Sequence, residues 1–346
     1  MKDIVFYYPQ GHEAHFEEGH PERPERIEVI RNALVEAGWW EKFPHLEPIA
    51  IPEDLLMSIH SPPYLEILQE ACQKGVHLDM DTYTTTSSWE LAHSTAGGAL
   101  AIAEAVWRKA SKSGLALTRP PGHHATRDRG MGFCLLNNIA LAAEYLLTNK
   151  SDDFTNADRV AIIDIDLHHG NGTQDIFWDR DDVVYISTHQ SPLYPGTGGL
   201  KEIGAGNGKG YTVNFPLPPG TGDTGFRVVM EEFILPMLDQ FKPDMLLISI
   251  GFDPHWRDPL GHLSLTAAGY GELIRSMAVW SELNCSNRMA LFLEGGYDLD
   301  AGAACLQATV AALLGLEWTD YLGSPPRPEG NSWRTILREA HRIWKI

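Results

Sequence analysis

Asp164-Ile165-Asp166-Leu167-His168-His169 follows at once on the apolar run Val160-Ala161-Ile162-Ile163 and leads directly into Gly170-Asn171-Gly172. It reads as a buried strand that runs out into a glycine turn. Side chains on a strand alternate between its faces, so Asp164, Asp166 and His168 are expected to point the same way. Two carboxylates and an imidazole on one side of a strand end make a metal-binding edge. Oxygen and nitrogen donors without a thiolate suit Zn²⁺, Fe²⁺, Mn²⁺ or Co²⁺. Aspartates at strand ends also cap helices, and a short D-x-D-x-H by itself leaves both roles open. Its surroundings raise the odds of a metal.

Working outward, apolar runs alternate with longer amphipathic ones. Strands are expected at 4–8, 115–118, 160–165, 183–188, 211–215, 245–250 and 290–293, several of them continuously apolar, as strands covered on both faces should be. Helices are expected at 24–37, 63–74, 88–109, 135–147, 225–240, 266–284, 301–314 and 332–344, with Ser87-Ser88 and Thr266 as helix-start signals. This alternation implies an α/β fold: a central, mostly parallel sheet with helices on both faces. No linker or repeat divides the chain, so a single domain over residues 1–346 is expected. The long irregular stretches 10–24, 190–210 and 252–265 are expected to carry function, beyond the carboxyl ends of the strands.

Three further stretches follow strands. Arg119-Pro120-Pro121-Gly122-His123-His124 places two histidines on a rigid turn, suited to proton transfer. Gly251-Phe252-Asp253 puts Asp253 where a third metal ligand, or a helix cap, would stand. Glu294-Gly295-Gly296-Tyr297 has paired glycines that admit close backbone approach to a ligand and sets Tyr297 at the rim, where a tyrosine also commonly packs.

Taken together, these motifs resemble the histone deacetylase family within the arginase/deacetylase superfamily. The matching segments are R-P-P-G-H-H-A (119–125), G-F-C-L-L-N-N (132–138), D-I-D-L-H-H-G-N-G-T (164–173), Y-P-G-T-G (194–198), G-F-D (251–253) and E-G-G-Y (294–297), with H-P-E-R-P-E-R-I (20–27) and H-S-P-P-Y (60–64) as early motifs. The flavour is that of class II enzymes and bacterial acetylpolyamine amidohydrolases. Asn171 stands where class I members carry an aspartate, so the partner of His124 is neutral here, while Asp164 faces His123.

The resemblance implies an arginase/deacetylase-like fold and a zinc-dependent deacetylase acting on acylated lysine-type amines. It implies that Asp166, His168 and Asp253 hold Zn²⁺, for which Fe²⁺ is a rival on the same donors. It implies His124 as general base and acid, His123 paired with Asp164, and Tyr297 as hydrogen-bond donor to the oxyanion. Phe133 and Tyr194 are implied as aromatic walls of an acyl-lysine channel, with Gly132, Gly295 and Gly296 lining it and Asp81 as a rim carboxylate, for which Asp79 is a rival. Structural K⁺ is implied at Asp164, Asp166, His168, Ser187 and Thr188, and again at Phe177, Arg180, Val183 and Tyr211. The bulky His255, Trp256, Arg257 and His262 depart from the pattern and are expected to narrow the mouth, add a ligand or pack. Leu260 stands where polyamine-selective relatives carry an acidic gatekeeper.

Composition bounds the partners. A formal net charge of −19 opposes a phosphate backbone and excludes nucleic acid as the expected partner, while it is compatible with a cationic substrate. No apolar run is long enough to span a membrane. Four separated cysteines without C-x-x-C suit reduced thiols, and residues 1–8 read as a strand rather than a signal peptide, so a cytoplasmic protein is expected. The expected partner is an acetylated lysine side chain of a protein or a small acetylated amine, with an acetylpolyamine deacylase as the rival reading. Loops 10–24 and 252–265 are candidates for homo-oligomer contacts at the entrance. A catalytically dead acyl-lysine binder would lack a ligand, the base or the tyrosine, and a two-manganese ureohydrolase would need a second ligand set; neither pattern is visible.

Overall fold

The computed structural model describes residues 2–149, 151 and 153–345. Seven strands form one sheet in the order β1-β2-β7-β6-β3-β4-β5. They are β1 (Lys2–Tyr7), β2 (Ser111–Ala116), β3 (Val160–Asp164), β4 (Val183–Gln190), β5 (Thr212–Leu217), β6 (Met245–Ile250) and β7 (Met289–Leu293). Every neighbouring pair is parallel. The alternation read from the sequence is explained by coverage of both faces. Ile163, Ile186, Phe215, Ile248 and Leu291 enter one apolar cluster with the helices Glu25–Glu36, Ala267–Asn284, Leu299–Leu313 and Trp333–Trp344. Their strand neighbours Ile162, Tyr185, Leu247 and Ala290 enter the other, under the helices Ser88–Trp107 and Asn138–Thr148. No helix among the described residues is long and apolar enough to cross a membrane.

The connection from β2 to β3 skips two positions in the sheet, and β6 and β7 later fill the gap. β2, β7, β6 and β3 therefore lie side by side, and their carboxyl ends deliver the four motifs noted above. Neighbouring strands are about 4.8 Å apart, so four adjacent ends span roughly 15 Å, the scale of one small-molecule site.

Some boundaries differ from the sequence expectation. β2 starts four residues earlier than 115, in Ser-Lys-Ser-Gly, which reads as a turn. In the sheet, Lys112 reaches Asp3 (2.9 Å), and Gly114 packs where a Cβ would lie 2.6 Å from Ile102. The helix expected from 135 starts at Asn138, because Asn137 caps it by accepting from the Ala140 amide (3.0 Å). The expected helix 225–240 is Asp223–Val229, a wider π turn at Met230–Ile234, and Leu235–Phe241. Pro236 supplies no amide hydrogen and crowds the preceding turn, which the wider turn relieves. Two short helices, Glu53–Ile59 and Asn171–Ile176, escaped the periodicity reading because neither completes the two turns that a pattern needs. Thr266 caps its helix as expected, accepting from the Gly269 amide (3.0 Å).

Candidate active site

β3 ends at Asp164, so D-x-D-x-H is not extended strand. Asp164 Oδ1 accepts from the Asp166 amide (3.1 Å), and Asp166 Oδ1 accepts from the His168 amide (2.8 Å). Two successive carboxylate-closed turns thus keep alternate residues together, as a strand would. Asp253 arrives from the end of β6, and its Oδ1 accepts from the Leu167 amide (3.1 Å). No helix follows Asp253 directly, so the capping alternative does not apply.

Donor atoms of Asp166, His168 and Asp253 lie within 4.8 Å of one another. His168 Nδ1 is 3.2 Å from Asp166 Oδ1 and 3.2 Å from Asp253 Oδ2. Both carboxylates are buried. Burial, and then the charge of Asp166, push Asp253 up to about 7. Burial opposes a charge on His168, yet hydrogen bonds to Asp166 and Asp253 raise it to about 10. A proton on Nδ1 thus bridges two crowded anions, and a divalent cation can replace that proton. Gly295 completes the cradle: its amide donates to Asp166 Oδ2 (2.8 Å), and a Cβ there would lie 2.2 Å from Asp253 Oδ2. The donors fit Zn²⁺ or Fe²⁺ with ligand positions left open. The other three-donor group among the described residues is His12, Glu13 and Glu28; it shares no residue with this one and makes no bridged two-metal centre with it.

His123 and His124 stand beside these ligands with rings 4.1 Å apart. His123 Nδ1 is 3.0 Å from Asp164 Oδ2, which also accepts from Tyr185 (3.0 Å). Burial disfavours charge on His123, but Asp164, Asp166 and Glu294 overcome it and raise the group to about 10. His124 is held well below its ordinary value, by burial first and then by the charges of His123 and His168. The two rings are thus pushed in opposite directions, the kind of division that acid–base chemistry uses. His124 Nδ1–H donates to Asn171 Oδ1 (2.8 Å), and Asn171 Nδ2 donates to Met131 Sδ (3.5 Å), which leaves His124 Nε2 as the basic nitrogen.

A cavity of about 270 Å³ opens over this group, lined among others by Phe133, Tyr194, Gly132, Gly295, Tyr297 and Asp81. Phe133 holds φ +70°, a left-handed conformation that a bulky residue adopts only when its surroundings hold it there. Next to it, Gly132 leaves no room for a Cβ, which would sit 2.5 Å from the His124 ring. Gly296 does not line the cavity; its carbonyl accepts from Arg26 Nε (2.7 Å). Asp79 is occupied in shaping its loop, accepting from the Asp81 and Thr82 amides (3.2 and 2.8 Å), so Asp81 is the carboxylate at the rim. Leu260 lines the mouth. His255 is buried, Trp256 donates to the Gly323 carbonyl (3.2 Å), and Arg257 pairs with Asp300 (2.9 Å); these and exposed His262 lie outside both the donor cluster and the lining.

Burial holds the Tyr297 phenol well above its ordinary value, against the charge of Arg26, so it stays protonated and can donate. Arg26 lies 4.8 Å from the Tyr297 ring centroid. The candidate potassium residues divide into two groups. Ser187 pairs in register with Asp164, and Thr188 Oγ1 donates to the Asp164 carbonyl (3.3 Å). Phe177 and Arg180 share a turn (3.2 Å between carbonyl and amide), Val183 opens β4, and the Tyr211 carbonyl accepts from Tyr185 (2.8 Å).

Several supports were not read from the sequence. Buried Glu294 accepts from the Gly122 and His123 amides (2.7 and 3.1 Å) and from Ser249 (2.9 Å), fixing the histidine turn. His169 holds Thr197 (2.7 Å) and Gln174 (3.0 Å), tying down the loop that bears Tyr194. Glu22 lies between Arg26 (2.9 Å) and Arg119 (2.8 Å), all three buried, and so joins the E-G-G-Y turn to the histidine turn. The adjoining H-P-E-R-P-E-R and R-P-P motifs are the only sequence signals for this triad.

Glu22→Gln is expected to destabilise the fold by about 3–5 kcal/mol, because it leaves two buried guanidinium groups without the carboxylate charge between them; denaturant titration checks this. Burial disfavours the Glu22 charge, but Arg119 and Arg26 hold its carboxyl down to about 2. A depressed carboxyl contributes stability above its unfolded value of about 4.3 and loses it as pH falls through the folded value. Wild type should therefore lose stability between about pH 4.5 and 2 relative to Glu22→Gln.

The cluster lies at the carboxyl edge of a parallel sheet, where α/β enzymes carry their sites. Residues 20–313 match the histone deacetylase domain, and the chain belongs to that family. It is 42% identical over 301 residues to a probable deacetylase of Archaeoglobus fulgidus, covering 86% of this chain and 82% of that protein. Against the histone deacetylase-like amidohydrolase of Pseudomonas aeruginosa identity is 34%, covering 86% and 78%. The crystal structure of the HDA15 HD domain superimposes with a TM-score of 0.89 at 31% identity, over 99% of this chain and 95% of that one. The fold is thus that of the arginase/deacetylase group, and the chain is a deacetylase-family hydrolase.

Proposed function

We propose that this protein is a zinc-dependent deacetylase that hydrolyses the amide of acylated lysine-type amines. The reading is supported above all by one juxtaposition: three oxygen and nitrogen donors lie within 4.8 Å of one another, and two of them, on Asp166 and His168, belong to residues lining the cavity that His124, Tyr297, Phe133 and Tyr194 also line. Asp166, His168 and Asp253 hold the ion. When bound, it supplies Lewis acidity that polarises the amide carbonyl and acidifies water. His124 Nε2 takes the proton from the attacking water and returns it to the departing amine, while Asn171 keeps Nδ1 protonated. His123 stays charged against Asp164. Tyr297 donates its hydroxyl to the developing oxyanion. Phe133 and Tyr194 flank the alkyl stem, Gly132 and Gly295 leave room for it, and Asp81 grips the substrate at the rim. K⁺ at the two carbonyl-rich groups around Ser187 and Tyr211 has a structural part, and the cytoplasm is the proposed location.

The apolar Leu260 at the mouth favours an acyl-lysine peptide over an acetylpolyamine, whose second ammonium gains from an acidic partner there. Assays with an acetyl-lysine peptide, N-acetylputrescine and N-acetylspermidine test this. The peptide is expected to have the highest kcat/KM, by at least about tenfold, equivalent to ~1.4 kcal/mol. Chelation should abolish turnover and Zn²⁺ restore it. Preference for the polyamines would reverse the substrate assignment, and turnover that survives metal removal would end the mechanism.

A further inference from the structure

Asp258 is buried and belongs to neither the metal cluster nor the cavity lining. It lies five residues beyond Asp253, on the loop that returns to pair with Leu265. Its Oδ2 accepts from the Tyr297 amide (2.7 Å) and from the Asp298 amide (3.2 Å). Its Oδ1 accepts from the Leu260 amide (3.0 Å). One carboxylate therefore ties together the loop that carries Asp253, the mouth residue Leu260 and the backbone of Tyr297. On the other side of the same turn, Arg26 donates to the carbonyls of Glu294 and Gly296. The anion holds amide hydrogens and the cation holds carbonyls, so the turn is gripped from both ends of its peptide dipoles. Charge-assisted bonds of this kind are shorter and about twice as strong as neutral ones.

We propose that Asp258 is a positioning residue for the reaction: its carboxylate sets where the Tyr297 hydroxyl stands relative to the donors of Asp253. This rests on the deacetylase reading, because it assigns Tyr297 work that Asp258 aligns. Three backbone donors converge on a carboxylate that makes no other polar contact among the hydrogen bonds described, and two belong to Tyr297 and its successor. An amide in its place can accept on one side only and must present an N–H₂ group to amide hydrogens on the other.

The test is a double-mutant cycle with Tyr297→Phe on the zinc-loaded enzyme and an acetyl-lysine peptide. Asp258→Asn alone is expected to lower kcat about 10- to 100-fold, the scale of an ångström-sized misplacement, with KM changed less than about threefold and zinc content intact. In the Tyr297→Phe background the same change should cost no more than about threefold, since residues that act through one another are not additive. Equal factors in the two backgrounds, or a wild-type kcat, overturn the proposal. A second readout needs neither metal nor turnover. Amide hydrogen exchange at Tyr297 and Asp298 in the metal-free protein should quicken by at least about tenfold in Asp258→Asn, with β7 amides unchanged; unaltered exchange there also overturns it. Should Asp258→Asn fail to fold, Asp258→Glu, which keeps the charge and lengthens the arm by one methylene, is put through the same cycle with the same expected non-additivity. A wild-type enzyme inactive on every acetylated amine would instead break the deacetylase reading, and the exchange measurement would still judge the contact.

Discussion

Asp253→Ala is expected to release the metal and with it the activity. Asp253 is one of three donors, and its loss leaves a carboxylate and an imidazole, of which the imidazole also loses its carboxylate neighbour at 3.2 Å. Its Oδ1 holds the Leu167 amide as well, so the turn that presents Asp166 and His168 loosens. Disturbing even an outer partner of a ligand typically costs 10- to 100-fold in metal affinity, and deleting a ligand costs more. The purified variant should carry less than about a tenth of the wild-type zinc and retain under roughly 1% of its turnover. The fold should survive, because burial and Asp166 already push Asp253 towards its neutral form at about 7, and removing it relieves two crowded anions. Elemental analysis beside a thermal melt separates the outcomes. Full zinc in a folded variant would contradict the ligand assignment.

Tyr297→Phe is expected to lower kcat by about 10²–10³, or roughly 3–4 kcal/mol of barrier, the range for loss of one oxyanion donor. The zinc content should stay normal, because the proposed ligands Asp166, His168 and Asp253 are all left in place. KM should change little, since the bond strengthens only as charge develops on the carbonyl oxygen. The phenylalanine ring keeps the packing against Phe133 (5.9 Å between centroids) and under Arg26 (4.8 Å), so the cavity wall remains. Since burial holds the phenol above its ordinary value, ionisation of Tyr297 should not shape the wild-type pH profile near neutrality. Steady-state kinetics with metal analysis decide the point, and unchanged turnover would remove Tyr297 from the mechanism.

Much of the site was readable because its ligands lie in short motifs just past apolar strands. Asp166 and His168 are two residues apart, and that spacing alone brings them together whether the backbone is strand or successive turns. His123 and Asp164 are 41 residues apart, and only motif resemblance paired them ahead of the 3.0 Å contact. Glu294, His169 and Asp258 went unread because they act on backbone amides or on loop residues far away in sequence, and such contacts leave no periodicity. The motif resemblance implies Gly296 as a lining residue, but Arg26, 270 residues earlier, takes its carbonyl as a hydrogen-bond acceptor. The helix Asn171–Ile176 is too short for a periodic pattern, and its residues serve the His124 contact and the close approach of Gly172 to Ala125.

By itself the sequence determined an α/β chain with strands buried on both faces and its chemistry at strand ends, because hydrophobic periodicity and donor type are local properties. Only the tertiary structure decided that β6 and β7 fill the gap between β2 and β3, since strand order depends on which faces pack together over hundreds of residues. That order sets Asp253 beside Asp166 and Tyr297 above them. It also buries the charges so that His123 is pushed towards its charged form and His124 towards its neutral one, a difference that desolvation and neighbouring charge create and that no stretch of sequence carries alone.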